Sequence, residues 1–256
     1  MSANIFTTVA IAFILSALYF YLRKESFVNV PEKSIQFLSA NETYSFLIED
    51  PDFYIANLSP TDLYARKVKL AADYKHRAAN SAISFTQDQM LRFSDAAVKA
   101  DKFFSSLYIK GVDCAKIATI PWCIAMTQGS IYEGGLPHTR AGTIFVSSDI
   151  DETPESLLRV LVHEKVHIYT RLYPEEIAYY LESNGYIKWK QRMGVPRIRS
   201  NPDLDAWIYI EPKSESPMVA YYSSDRPKAI GDIVLSHPSA EHPFELLAYF
   251  IEAKLS

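Results

Sequence analysis

An uncharged and mostly apolar run lies near the start of the chain, and apolar residues recur at helical spacing afterwards. No charged residue lies between Ile5 and Leu22. A helix of about eighteen residues is roughly 27 Å long, which is close to the thickness of the hydrocarbon core of a bilayer. Arg23 and Lys24 end the run. The pattern predicts a single transmembrane helix within residues 1–24, with residues 5–22 in contact with lipid.

A cleaved signal peptide is the alternative interpretation of this run. Signal peptides carry basic residues before the apolar stretch and a small-residue cleavage site after it. Residues 1–4 contain no Lys or Arg, and the bulky sequence Leu-Tyr-Phe-Tyr follows Ala17. These features favour an uncleaved anchor. The positive charges that follow the run favour the cytosolic side of the membrane for the rest of the chain.

Helical periodicity dominates the next part of the chain. Residues 25–59 contain two prolines and predict a tether followed by short helices. From Pro60 to about Leu107 the apolar residues fit helices with one buried face. Residues 60–130 are therefore predicted to form the helical part of the domain.

A strand and a long helix are predicted next. Residues 142–148 are rich in β-branched and aromatic residues, which are typical of a strand. Thr153 can cap a helix, and Pro154 suits its first position. This helix should end near Tyr173, before Pro174. Two more helices, over residues 175–183 and 243–254, are predicted on either side of long loops and short strands.

Composition and charge exclude several classes of protein. The chain has 256 residues, 48% hydrophobic and 22% charged, which fits one large globular domain or two small ones. Its formal net charge is −4, so we expect no nucleic-acid partner. The 8 glycines form no phosphate-binding cluster. Cys114 and Cys123 are too few for a Cys-rich metal site, although they could form one disulfide.

The predicted long helix contains the sequence His163-Glu164-Lys165-Val166-His167. One helical turn separates the two histidines, so they share a face and can bind one ion together. Glu164 can act as a general base on a water bound to that ion, and Zn²⁺ lowers the pKa of such a water. Apolar residues flank the pattern, and a buried trio of this kind needs a common partner. The alternative is a solvated trio on the surface of an amphipathic helix.

A zinc ion bound in this way needs a third protein ligand. The metzincin pattern would require a histidine at position 173, where the chain has Tyr173. A glutamate from a later helix is therefore expected. We favour Glu245, at the start of a predicted helix with the pattern Glu-x-x-Ala, where the small Ala lets another helix approach. Glu182, which lies near a predicted helix end, and His242 remain the alternatives.

These features resemble the zincin superfamily of metallopeptidases, and in particular its gluzincin type. The resemblance rests on His163-Glu164-x-x-His167, the preceding strand and the later Glu-x-x-Ala helix, and it covers roughly residues 130–253. Residues 135–140 and 201–207 are similar to segments of metallopeptidase-like proteins from microbial eukaryotes and large DNA viruses. The resemblance implies an α+β fold in which a small mixed sheet, with an edge strand, lies above the active-site helix.

The resemblance also implies roles for other residues. The strand before the motif pairs with extended peptide in this superfamily, which assigns substrate binding to Thr143, Ile144, Phe145 and Val146. The superfamily stabilises the oxyanion with a Tyr, His or Arg. The candidates here are His138, Tyr221 and Tyr222.

The sequence therefore predicts a membrane-anchored zinc metallopeptidase that hydrolyses peptide bonds. Its zincin-like domain would span residues 60–256, with the catalytic part over residues 131–256. The alternative is a non-catalytic, membrane-tethered structural or assembly protein on the same scaffold. The intact Glu164 favours the enzyme, because a structural metal site needs no general base.

The predicted anchor can be tested by alkaline carbonate extraction of membranes from cells that express the full chain. We expect the uncleaved chain to stay in the membrane pellet, because about eighteen uncharged residues bury enough apolar surface to resist extraction. Release of the intact chain into the supernatant would contradict the anchor.

Overall fold

The computed structural model describes residues 35–213 and 215–255. The predicted anchor and the start of the predicted tether lie outside these residues. Across the two described ranges, none of the helices combines the length and the apolar character needed to span a bilayer. The described chain is a mixed arrangement of helices around a mixed β-sheet.

The helices account for most of the regular structure of the described residues. Three of them begin at a capping box, in which the side chains of Ser39 and Glu42, of Ser59 and Asp62, or of Thr86 and Gln89 bond to each other's backbone. The helices are α1 (Ala40–Glu49), α2 (Pro60–Ala65), α3 (Ala71–Ala79), α4 (Gln87–Ser106), α5 (Cys114–Thr119), α6 (Pro154–Leu172), α7 (Pro174–Ser183) and α8 (Pro243–Glu252), with short 3₁₀ turns at Glu133–Gly135 and Ala253–Leu255.

The strands form one five-stranded sheet and two smaller sheets. In the large sheet the order is β1-β3-β5-β4, and β2 also pairs with β3. The pairs β1–β3 and β3–β5 are parallel, whereas β2–β3 and β4–β5 are antiparallel. The strands are β1 (Ile35–Phe37), β2 (Ala82–Ile83), β3 (Trp122–Thr127), β4 (His138–Arg140), β5 (Thr143–Ser147), β6 (Ile187–Gln191), β7 (Trp207–Ile210), β8 (Pro217–Met218), β9 (Ala220–Tyr222) and β10 (Ile233–Leu235).

Two predicted boundaries differ from the structure. The sequence assigned residues 25–59 to a tether with short helices, but β1 and α1 belong to the fold, since β1 pairs with β3 and α1 packs on α3. The sequence also assigned residues 60–130 to helices, yet β3 lies there at the centre of the sheet. The apolar run of β3 is too short to show a helical or a strand period.

The strand predicted over residues 142–148 forms as β5, but it is not an edge strand. It lies between β3 and β4, and all five of its residues are buried. The prediction that Thr143, Ile144, Phe145 and Val146 bind peptide by strand addition is therefore wrong, because the backbone of β5 is already paired on both sides. The edge strand next to the motif helix is β4.

Helix α6 is held in a fixed rotation by a buried ion pair on the face opposite the histidines. Lys165 is fully buried, and its Nζ lies 2.5 Å from Asp101 Oδ1 on α4. The same carboxylate accepts a hydrogen bond from Trp122 Nε1 at 3.2 Å. Lys165 follows His163 by two residues, which is about 200° around the helix. Because Lys165 pairs with Asp101 on one side of α6, His163 lies on the opposite side of that helix.

A second buried network joins the N-terminal helices to the segment that precedes β4. Arg66 Nε donates to Glu133 Oε1 at 3.0 Å, and the hydroxyls of Tyr74 and Tyr54 donate to the two oxygens of the same carboxylate at 2.8 and 3.1 Å. Burial alone would raise the pKa of Glu133. The charge and hydrogen bonds of Arg66 outweigh this effect and lower that pKa to about 2.

The substitution Glu133→Gln should destabilise the protein by about 3 kcal/mol near neutral pH, because it leaves the buried Arg66 without its counter-charge. The folded-state pKa of Glu133 lies below its ordinary value, so the stabilisation is present above about pH 5 and is lost as the pH falls toward 2. Urea unfolding at a series of pH values measures this difference. Glu49→Gln, at an exposed position, is the control. If the difference in unfolding free energy between wild type and Glu133→Gln does not shrink in acid, the buried pair of Glu133 and Arg66 is not its cause.

Candidate metal centre

Three potential metal ligands converge between α6 and α8. His163 Nε2 lies 3.1 Å from His167 Nε2, and Glu245 Oε2 lies 3.3 Å from the first nitrogen and 3.7 Å from the second. Ligand atoms at 2.0–2.1 Å from a tetrahedral Zn²⁺ ion are about 3.3 Å apart. Among the His, Cys, Asp and Glu side chains of the described residues, these three form a group whose ligand atoms are close enough to bind one ion together.

The two helices bring these ligands together for local reasons. Helix α8 begins at His242, whose ring Nδ1 accepts a hydrogen bond from Phe244 N, and Pro243 occupies the first helical position. This start places Glu245 in the first turn of α8. Ala248 is fully buried, as the predicted close approach of another helix requires, and α8 packs on α6.

The structure separates the three candidates for the third ligand. Glu245 meets the histidines, whereas Glu182 is exposed on α7 and is not part of the group. The ring of His242 is buried, and its Nε2 lies 3.2 Å from Asp205 Oδ1. The alternatives Glu182 and His242 therefore lack the geometry of a ligand.

Neighbouring polar groups orient the ligands. Asn201 Nδ2 donates to Glu245 Oε1 at 2.9 Å, which leaves Oε2 to face the histidines. Glu252 Oε2 lies 3.3 Å from His163 Nδ1, and its Oε1 lies 3.5 Å from Arg159. A carboxylate on one ring nitrogen fixes the proton there and leaves the other nitrogen for a metal.

The electrostatic field of the site favours a cation. Burial alone would lower the pKa of His163, but the hydrogen bonds and charges of Glu245 and Glu252 raise it to about 10. Burial would raise the pKa of Glu245, but His167 and His163 lower it to about 2. A field that holds a proton on one imidazole this strongly also favours a divalent ion in its place.

A buried carboxyl oxygen without a partner belongs to Glu164, the residue next to His163. Glu164 Oε2 has no hydrogen-bond partner among the described residues, although the side chain is almost completely buried. Burial, together with the charge of Asp203, raises the pKa of Glu164 well above its usual range. The donor set of two imidazoles and a carboxylate suits Zn²⁺, so the residues fit the metal that the sequence predicted.

The group opens onto a cleft of about 600 Å³. His163, Glu164 and Glu245 lie along it. One part of its wall is acidic, with Asp203, Glu241 and Glu252, and another part is apolar, with Leu136, Ile230, Ile233 and Leu235.

His138 lies along the cleft but is not arranged as an oxyanion donor. Its Nδ1 lies 2.9 Å from the carbonyl oxygen of Leu136, so this nitrogen carries the proton. Burial lowers the pKa of His138 and keeps the ring neutral. Its Nε2 is therefore an acceptor, whereas an oxyanion requires a donor. The predicted oxyanion role of His138 would require the other tautomer, with the proton on Nε2.

The two predicted tyrosines do not line the cleft. Tyr221 is paired with Val234 in the sheet of β9 and β10. Tyr222 is buried, and its hydroxyl donates to Asp62 Oδ1 at 3.0 Å. The prediction that Tyr221 acts at the site is therefore wrong, because Tyr221 and Val234 lie on the face of this sheet opposite to Ile233 and Leu235, which line the cleft.

Tyr249 is the tyrosine at the site. Its ring centroid lies 4.8 Å from that of His163, and the residue lines the cleft. Burial and the charge of Glu245 raise the pKa of Tyr249, so its hydroxyl keeps its proton. Tyr249 lies four residues after Glu245, and Glu252 lies seven residues after Glu245. Residues at this spacing share one face of a helix, and this pattern is the signal in the sequence for both Tyr249 and Glu252.

Comparisons with known proteins add no family assignment. No protein-family model, curated protein or solved structure matches this chain.

The substitution Glu245→Gln should weaken Zn²⁺ binding by about tenfold or more, because a neutral amide is a poorer ligand than a carboxylate. His163→Ala and His167→Ala should abolish binding at this site. Glu182→Gln, on the exposed face of α7, is the matched control and should leave affinity nearly unchanged. Competition titration with a zinc-binding dye measures all four variants, and a larger loss for Glu182→Gln than for Glu245→Gln would contradict the ligand set.

Proposed function

We propose that this chain is a zinc metallopeptidase held at a membrane by residues 5–22. The observation that carries the proposal is the convergence of His163, His167 and Glu245 beside Glu164 in an open cleft. A structural zinc site is closed by a fourth protein ligand, whereas a catalytic site has three protein ligands and leaves one position open for water. Here three ligands converge, and Glu164 is a buried carboxyl group that lines the cleft beside them.

The reaction follows from the positions of the protein groups. A Zn²⁺ ion at the three ligands would polarise a peptide carbonyl and make water more acidic. Glu164 takes the proton from the attacking water and then delivers it to the nitrogen of the leaving amine.

Tyr249 takes the role that the sequence assigned to Tyr221 or His138. Its hydroxyl is protonated and can donate to the oxygen on which negative charge develops. Asn201 and Glu252 are positioning residues, since each bonds to a metal ligand and not to the substrate.

The substrate is an extended peptide that lies along the cleft. Strand addition to β5 is excluded by its pairing, and Thr139 N, on the edge strand β4, already donates to Asp203 Oδ1 at 2.7 Å. The apolar wall near Leu136 and Leu235 offers contacts for the side chains of the peptide. We further propose that the cleft lies on the cytosolic side, from the charges that follow the anchor.

The substitution Glu164→Gln tests the proposal, because it keeps the shape of the side chain and removes the base. The full chain, purified with zinc, is incubated with a peptide library, and products are measured by mass spectrometry. We expect cleavage by the wild type, a loss of about 100-fold or more in Glu164→Gln, and unchanged zinc content. Glu155→Gln, at an exposed position of the same helix, is the control.

Two results would count against the enzyme. A zinc-loaded wild-type chain that cleaves no member of the library would favour the non-catalytic, membrane-tethered alternative. Cleavage by Glu164→Gln at the wild-type rate would contradict the assignment of Glu164 as the general base.

A further inference from the structure

Strand β6 is an exposed edge strand that carries large apolar side chains. All five of its residues are exposed, and it pairs on one side only, with β7. Ile187 is 59% exposed, Trp189 is 48% exposed, and Met193, just after the strand, is 78% exposed. Such residues on an open edge are costly unless a partner covers them.

The same part of the chain is its most basic region. Residues 183–202 contain five Lys and Arg residues and no Asp or Glu, although the net charge of the whole chain is −4. Arg192 and Arg199 pair with Glu241, and Arg197 with Asp225. In the part of the chain that the structure describes, Lys188 and Lys190 form no ion pair and lie over the rings of Trp207 and Trp189, at 4.6 and 4.4 Å.

We propose that the exposed surface along this edge, to which Ile187, Lys188, Trp189, Lys190 and Met193 contribute from both faces of the strand, binds an anionic lipid membrane. Tryptophan favours the interface between water and lipid, and apolar side chains beside it enter the acyl boundary. Lysine stems lie along apolar surface while their ammonium groups reach acidic headgroups. The proposal depends neither on the catalytic assignment nor on the N-terminal anchor.

Two other partners fit the surface less well. A peptide strand would need a regular edge, but the pairing of β6 shifts register between Lys188 and Lys190. A single-stranded nucleic acid could stack on Trp189. Ile187 and Met193 would contribute nothing to such stacking, whereas both can enter the acyl boundary of a membrane.

Lipid quenching of Trp189 tests the proposal. The full chain is mixed with, or reconstituted into, phosphatidylcholine vesicles that carry bromine on the acyl chains, with or without roughly one third phosphatidylserine. The chain has 3 Trp, so the difference between wild type and Trp189→Phe reports Trp189. We expect at least about half of this emission to be quenched with phosphatidylserine, and about threefold less quenching without it.

Charge variants make the test specific. The double variant Lys188→Gln with Lys190→Gln should lower the quenching about threefold in the anionic vesicles. Lys102→Gln with Lys110→Gln, which neutralises two exposed lysines elsewhere, should leave it unchanged. Circular dichroism verifies that each variant is folded.

Three outcomes would overturn the proposal. The first is an unquenched Trp189 in anionic vesicles. The second is equal quenching with and without phosphatidylserine. The third is a Trp189 signal that responds to a single-stranded oligonucleotide and not to lipid, which would assign the surface to nucleic acid.

Discussion

The packing of α8 against α6 is the interaction on which the rest of the site depends. Glu245 is far from the histidines in sequence, and only this packing brings its Oε2 to 3.3 Å from His163 Nε2. The buried Lys165–Asp101 pair fixes the rotation of α6 from the opposite side. Two imidazoles and several carboxyl groups are thereby concentrated in a buried place, where like charges repel and desolvation is costly. A divalent cation at the proposed site would relieve both costs.

The sequence predicted the parts of this arrangement that are encoded locally. The two histidines one turn apart, the start of α6 at Pro154 and the helix that carries Glu245 can all be read from spacing and capping residues. The strand order could not be predicted in this way. Whether β5 or β4 lies at the edge depends on pairing between distant strands, and β-pairing leaves no periodic signal in three or five residues.

The oxyanion candidates show a second limit of sequence reasoning. Residue type and position outside the long helices favour Tyr221 and His138, but the decisive facts are a neighbouring carbonyl for His138 and the pairing of β9 for Tyr221. Tyr249 shares a helical face with Glu245, so periodicity could have identified it once the third ligand was known. Asn201 could not be identified in this way, because its contact with Glu245 crosses between a loop and a helix.

X-ray absorption at the zinc edge, on the full chain loaded with one equivalent of Zn²⁺, tests the central claim most directly. The account predicts a shell of nitrogen and oxygen atoms at about 2.0–2.1 Å, with the outer-shell scattering of two imidazoles and no sulfur. His167→Ala, which should not bind Zn²⁺ at this site, should lose this spectrum altogether. A spectrum with sulfur in the first shell, or with fewer than two imidazoles in the wild type, would contradict the assignment of His163, His167 and Glu245 as the metal ligands.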